Sequence, residues 1–251
     1  MDGNNNGKSI MMNVRISRCV AWAPNLSTDA DWQAWSRGER ALQGDDTPRA
    51  QRVPAMLRRR LTRWGRLALE VAGELTESLA ADTPIIFSSR HGDTHRTETL
   101  LTDLANCEPL SPTAFSLSVH NAPLGLYTIV EKITSPSLAV AAGRETFAHA
   151  WLEAYTWLQQ GASQVLLVHA DELLADFFRP DTDEQDAPLA LALLLTADEG
   201  SAVSLRFDAL DQRTLSDTQA QPLAFLQWWY SEAPALRWCG DRLCWQWQRS
   251  Q

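Results

Sequence analysis

Apolar positions along this chain fall into two periods, and both are clearest between Ser135 and Leu174. Leu138 and Val140 mark a short apolar strand that ends in Ala141-Ala142-Gly143. From about Arg144 to Gly161, Phe147, Ala148, Trp151, Ala154, Tyr155 and Leu158 recur at steps of three and four. That spacing predicts a helix with one apolar face, and Gly161 is a suitable C-terminal stop. Residues 165–168 form a second apolar strand. Strand, small-residue turn, helix, strand is how an α/β protein presents a nucleophile at a helix N-terminus, and the residue at this turn is Arg144.

The same reading extends along the chain. Leu57, Leu61, Trp64 and Leu67 form the buried stripe of an earlier helix. Residues 189–196 are continuously apolar and 203–207 alternate, so both predict strands, with a turn at Asp198-Glu199-Gly200. Residues 222–230 predict a short helix rich in Phe and Trp, and 236–247 a hairpin around Gly240-Asp241. Between these elements lie polar segments: a disordered start at 1–12, a connection at 36–54, a mobile acidic loop at 175–187 and a linker at 211–221. The expected division is therefore 1–12, a main domain at 13–210, and a Trp-rich extension at 211–251 that packs on it.

Composition narrows the function classes. The 251 residues suffice for one large α/β domain, and 45% hydrophobic content supports a full core. A formal charge of −9 argues against general nucleic-acid binding. No leader precedes the first strand and no run reaches membrane-spanning length, so a cytoplasmic protein is expected. The cysteines at 19, 107, 239 and 244 have no zinc spacing; Cys239 and Cys244 could face each other across the hairpin, but two packed thiols are the expectation. Gly-rich phosphate loops, metal clusters and a nucleophile elbow are missing, so no cofactor or metal is expected. Seven arginines lie between Arg49 and Arg66. Among them Arg58, Arg59, Arg63 and Arg66 form either a solvated helix face or a docking patch for an acidic partner.

The stretch from Ser135 resembles the N-terminal half of the β-ketoacyl synthases, the thiolase-fold condensing enzymes. Ser135-Pro136-Ser137-Leu138 is similar to their strand entry, and Gly161-Ala162-Ser163 to the turn before the next strand. Residues 14–22, Pro24, Asp31-Trp32-Gln33-Ala34-Trp35, the Arg-rich segment with its helix to Leu79, Pro84-Ile85-Ile86-Phe87-Ser88-Ser89, Ser111-Pro112 with Phe115, and Asn121-Ala122-Pro123-Leu124-Gly125 follow in the family's order. The resemblance implies a three-layered α/β fold with a mostly parallel sheet, half of a thiolase fold. It also places Arg144 on the family's nucleophilic cysteine. A guanidinium stays protonated and is no nucleophile, so no catalytic residue is expected. Arg144 is expected to fill the vacated pocket and pair with Asp93, Glu98 or Glu145. The chain also stops before the second half that supplies the family's histidines.

The resemblance therefore implies a non-catalytic ketosynthase partner, a chain-length factor of type II polyketide or aryl-polyene synthesis. Its partners would be a ketosynthase subunit and an acidic acyl carrier protein, the latter a named occupant for the arginine patch. His91, Thr97, Leu100, Leu101, Phe115 and Asn121 would line or gate the acyl cavity, with His120 as a further lining residue. Thr134, Ser137, Leu138, Ala139 and Val140 would form the dimer edge. His149 is expected to be a packed or surface residue. Two other readings remain: a scaffold that binds carrier protein, and a histidine phosphatase. The second rests on Arg90-His91-Gly92, the phosphohistidine signature of that family, with His169 after another strand as the second histidine. Nearly 90 residues precede the motif here, where that family starts with it.

Overall fold

The computed structural model describes residues 11–250 apart from 182, 184–186 and 212. The elements are β1 (Met12–Trp22), α1 (Asp29–Ser36), α2 (Ala55–Arg58), α3 (Arg63–Leu75), β2 (Ile85–Ser88), α4 (Thr94–Ala105), α5 (Pro112–Ser116) and α6 (Ala122–Glu131). They continue with β3 (Ser137–Val140), α7 (Thr146–Gln159), β4 (Gln164–Asp171), β5 (Leu189–Thr196), β6 (Ser201–Ala209), α8 (Gln221–Trp229), β7 (Ala235–Cys239) and β8 (Leu243–Arg249). The assigned disordered start ends inside β1, where Met12 is fully buried. The described residues of the acidic loop include Asp183; 182 and 184–186 lie outside the described residues, as do 1–10 of the assigned start.

All eight strands form one sheet in the order β3-β2-β4-β5-β1-β6-β8-β7. The expectation of a mostly parallel sheet is corrected: among the described residues only β2–β3 and β2–β4 are parallel strand pairs. The other five pairings are antiparallel. Connectivity explains the difference. Helical crossovers join β2 to β3 and β3 to β4, and only such crossovers make parallel neighbours. β5 and β6 instead flank β1 on opposite sides, each antiparallel to it. The chain crosses β1 between them, over Ile16. Gly200 makes that crossing possible: it has φ +101°, and a Cβ there would lie 2.3 Å from the Ile16 carbonyl oxygen.

The sheet is covered on both faces, which gives three layers. Trp64, Leu67, Val71 and Leu75 of α3 pack with Ile85, Phe87, Leu166, Val168 and Leu194 on one face. Phe147, Trp151, Ala154 and Leu158 of α7, with Phe225 and Trp228 of α8, pack on Ile86, Leu167, Leu191 and Leu193 on the other. β5 sends odd residues to one face and even residues to the other, so its unbroken apolar run follows from burial on both sides. The helix foreseen around Leu57 to Leu67 is two helices, because the chain extends at Thr62, the N-cap of α3. The hairpin β7–β8 joins the sheet through β6, and its Trp245 and Trp247 are fully buried. Full burial of one such aromatic contributes about 2–3 kcal/mol.

The thiol expectation is also corrected. Cys239 and Cys244 are bonded, because the β7–β8 register sets them directly opposite with Cα atoms 4.0 Å apart. Cys19 and Cys107 are free.

Candidate functional site

The site is built around the turn from β3 into α7. Gly143 has φ +60°, and Thr146 closes the turn: its hydroxyl donates to Gly143 O at 2.6 Å and accepts from Ala142 N at 2.8 Å. This sets Arg144 and Glu145 side by side at the start of the helix. Arg144 is buried, at 7% exposure. Its Nη1 lies 3.2 Å from Asp241 Oδ1, its Nη2 donates to Asp217 O, and its guanidinium lies 5.6 Å from the Trp238 ring centre.

The carboxylates first considered for Arg144 are engaged elsewhere, which corrects that expectation. Asp93 accepts from Thr62 and Arg96, capping α4, and Glu98 accepts from Phe177 N. Glu145 grips the β7–β8 turn, accepting from Arg242 N at 3.0 Å, Leu243 N at 3.2 Å and Trp245 Nε1 at 3.3 Å. Asp241, which does pair with Arg144, is on the tip of that hairpin, so Arg144 and Glu145 together clamp the C-terminal hairpin onto α7.

Beside the clamp, the parallel pairing of β2 with β4 sets Ser88 opposite His169. Ser88 Oγ lies 3.0 Å from His169 Nδ1 and also donates to Val168 O. His169 Nε2 lies 3.0 Å from Asp171 Oδ2, but out of line for a hydrogen bond. Asp171 accepts from the Ser89 hydroxyl at 2.6 Å and from Arg90 N at 2.9 Å. Burial opposes its ionisation, but His169, Ser89 and Arg90 outweigh burial and hold the carboxyl below its usual range. The Ser88-His169-Asp171 array is no hydrolytic triad. Ser88 and His169 are 4% and 1% exposed, and the array ties the β4 end to the Ser89–His91 turn rather than meeting substrate.

Arg90, His91, Arg144, Phe147, His169 and Leu223 line one small cavity with about 20 Å³ of free space, room for about one water. Arg90 Nη1 pairs with Asp183 Oδ1 at 2.8 Å. Arg90 is the main cause that holds the Asp183 carboxyl below its usual range; burial opposes this, and Arg144 adds to it.

The other residues named from the sequence spread away from this cavity. On α4, Thr97 Oγ1 donates to Asp93 O, Leu100 is buried and Leu101 is 48% exposed. Phe115 on α5 is 63% exposed, and Asn121 precedes α6 at the surface. His120 Nε2 lies 2.8 Å from Ser89 O, and His149 Nδ1 lies 2.9 Å from Glu145 O with its ring edge-on to Trp245. Thr134, Ser137 and Leu138 are exposed, Ala139 and Val140 half-buried, and β3 is an edge strand with one open side. Of the arginines, Arg59 is exposed, Arg66 donates to Arg58 O, and Arg63 lies 3.5 Å from Glu172. Burial pushes the Glu172 carboxyl up against the pull of Arg63.

Asp171, Asp183, Asp217, Trp238 and Asp241 were not foreseen. Each reaches the site through tertiary contacts, and Asp241 lies 97 residues from Arg144. No group of His, Cys, Asp and Glu among the described residues could hold a metal ion, and no described helix is long and apolar enough to cross a membrane.

Residues 32–248 match the family of the β-ketoacyl synthase N-terminal domain. No curated protein matches the chain. Among solved structures, the ketosynthase (ApeO) in complex with its chain length factor (ApeC) from Xenorhabdus doucetiae contains a chain 31% identical to this one. The match covers 94% of this chain and 99% of that chain, with a TM-score of 0.83. The ishigamide ketosynthase/chain length factor matches at 18% identity over 78% of this chain and 67% of that one, TM-score 0.57. A β-ketoacyl synthase from Burkholderia phymatum STM815 matches at 12% over 89% and 71%, TM-score 0.59. The last two show a shared ketosynthase fold.

Proposed function

The chain belongs to the β-ketoacyl synthase N-terminal domain family, and from that premise we propose that it is a non-catalytic chain-length factor, paired with a ketosynthase subunit whose acyl cavity it shapes. The observation that carries this reading is Arg144. It is buried and held by Asp241, Asp217 and Trp238, and the resemblance aligns it with the family's acyl-accepting cysteine. A protonated guanidinium in that setting cannot form a thioester or any other acyl adduct. Support also comes from the complex of ApeO with its chain length factor, where a chain of nearly this length is matched almost end to end. The partners are a ketosynthase subunit and an acyl carrier protein, in a type II polyketide or fatty-acid-like pathway of the aryl-polyene kind. Arg58, Arg59 and Arg66 form the docking surface for the acidic carrier; Arg63, with its guanidinium buried beside Glu172, takes no part in it.

The cavity role falls to the α4–α6 side, where Thr97, Leu100, Leu101, Phe115 and Asn121 are carried, and to His91 on the loop before α4. Leu101 and Phe115 are exposed in the single chain, so a partner can cover them without disturbing the core. A packed wall does not yield to added volume. In a condensation reconstituted with the partner synthase, Leu101→Trp should therefore shorten the products by about one or two condensation cycles. His91→Ala should lengthen them, and Arg213→Gln should leave them unchanged. Product lengths are read by mass spectrometry, and the same spectra should show acyl adducts on the synthase alone. An adduct on this chain would end the non-catalytic reading. An unchanged length distribution across all variants, at equal complex stability, would leave the carrier-binding scaffold in its place.

A further inference from the structure

The disulfide lies where the hairpin tip is held. Cys239 and Cys244 enclose Gly240, Asp241, Arg242 and Leu243, and those residues carry the clamp: Asp241 pairs with Arg144, and Arg242 N and Leu243 N donate to Glu145. The linker before α8 holds the same tip. Cys239 N donates to Asp217 Oδ2 at 2.6 Å, Asp217 N donates to Cys239 O at 2.8 Å, and Ser216 Oγ donates to Gly240 O at 2.8 Å. Asp217 O in turn accepts from Arg144, so Cys239 and the α7 turn share one neighbour. Cys244 has a cation beside it: Arg237, exposed on β7, donates from Nη2 to Cys244 Sγ at 3.2 Å.

We propose that the Cys239–Cys244 bond is a redox latch: a dithiol reductant opens it, Arg237 primes Cys244 as the leaving thiolate, and the opened tip loosens its hold on the turn between β3 and α7. A guanidinium at hydrogen-bond distance stabilises a thiolate, and the sulfur with the more stable thiolate leaves faster. Attack by the reductant's thiolate therefore falls on Cys239 Sγ, the bond between the two half-cystines breaks, and Cys244 leaves. The reductant's second thiol then attacks the mixed disulfide and releases Cys239. The chain gains two electrons and two protons as a pair of thiols, and the dithiol becomes its own disulfide. Cys239 and Cys244 are 1% and 5% exposed, so the reductant reaches the bond as the tip lifts. Clamp and latch thus protect each other, and such a coupling is reciprocal. The inference is independent of the chain-length reading, since it concerns the hairpin of this chain alone.

The test is alkylation and hydrogen exchange on the full chain, air-oxidised and then treated with dithiothreitol. Unfolded in urea, the oxidised chain should alkylate at Cys19 and Cys107 alone, and the reduced chain at Cys239 and Cys244 as well. In the folded protein, Arg237→Gln should slow reduction by about fivefold, and Arg237→Lys should restore the rate. Asp241→Asn should speed reduction by about threefold by freeing the tip. In the wild type, the amides of Arg242 and Leu243 should exchange about tenfold faster once the bond is reduced, while those of α4 keep their rates. The double variant Cys239→Ser with Cys244→Ser should match the reduced wild type and ignore the dithiol. Alkylation of Cys239 and Cys244 before any reductant is added overturns the proposal, as do tip amides that exchange alike in the two states. Equal reduction rates for the wild type and Arg237→Gln overturn it too. Should the double variant fail to fold, the oxidised and reduced wild type still decide the matter.

Discussion

Ala139→Pro should abolish co-elution with the ketosynthase subunit while leaving the chain folded. The register is what makes this substitution informative. Ile85 N bonds to Pro136 O and Ser89 N to Val140 O, so the even residues of this strand point their backbone groups at β2. By the alternation of a parallel ladder, the N–H and C=O of Ser137 and Ala139 point the other way, to the open edge. Proline at 139 therefore removes a donor that β2 does not use, and it sets a ring where a partner strand would pair. The residue before it, Leu138, is already extended, as a residue preceding proline prefers to be. Leu138, at 37% exposure, adds an apolar side chain on this edge strand. The expected loss is about a hundredfold or more in affinity, read by size exclusion and by titration of the two subunits. Ala139→Val, which keeps the donor, should bind like the wild type. If Ala139→Pro keeps its circular dichroism and still co-elutes, the partner, whether a synthase or a second copy of this chain, meets another surface.

The open edge was legible because β3 is short and its residues are named by the resemblance, but the course of the sheet beyond β2 was not. The apolar run of β5 was read to the residue, and the α7 stripe of Phe147, Trp151, Ala154 and Leu158 fell where three- and four-residue steps put it. Both signals are local: burial on two faces gives a continuous run, and burial on one helix face gives a period. Strand direction is not local. It depends here on a chain that passes over β1 at Gly200, and nothing in the alternation of residues 203–207 records that crossing. The same limit explains Arg144. Its burial could be argued from the helix and turn around it, but its partners come from Asp217 and the hairpin tip. The pairing of Cys239 with Cys244 needed the exact register of β7 and β8. His91 and His169 line one cavity, because His91 follows β2 and His169 lies in β4, the strand parallel to it. Their surroundings have a different meaning, because His169 is spent on Ser88 and Asp171.

Glu145→Ala should cost more stability than any change to the exposed charges around the cavity. Glu145 is 2% exposed, and its carboxylate accepts from the backbone of Arg242 and Leu243 and from the Trp245 indole. Removing it leaves donors buried under the hairpin without an acceptor, at about 1–3 kcal/mol for each one that water cannot reach. With Trp245 fully buried and the turn pressed onto α7, the expected total is about 3–5 kcal/mol, measured by urea unfolding followed through tryptophan emission. Glu145→Gln keeps an acceptor and nearly the same volume, so it should lose about 1–2 kcal/mol. Gly240→Ala probes the same contact from the other side. A Cβ at 240 would lie 2.6 Å from Glu145 Cγ, so the turn must lift or the carboxylate must turn away. Both changes should also loosen Asp241 from Arg144, because the tip that Glu145 holds is the tip that carries Asp241. A Glu145→Ala protein within 1 kcal/mol of the wild type would mean that Trp245 and its aromatic neighbours hold the hairpin without the clamp.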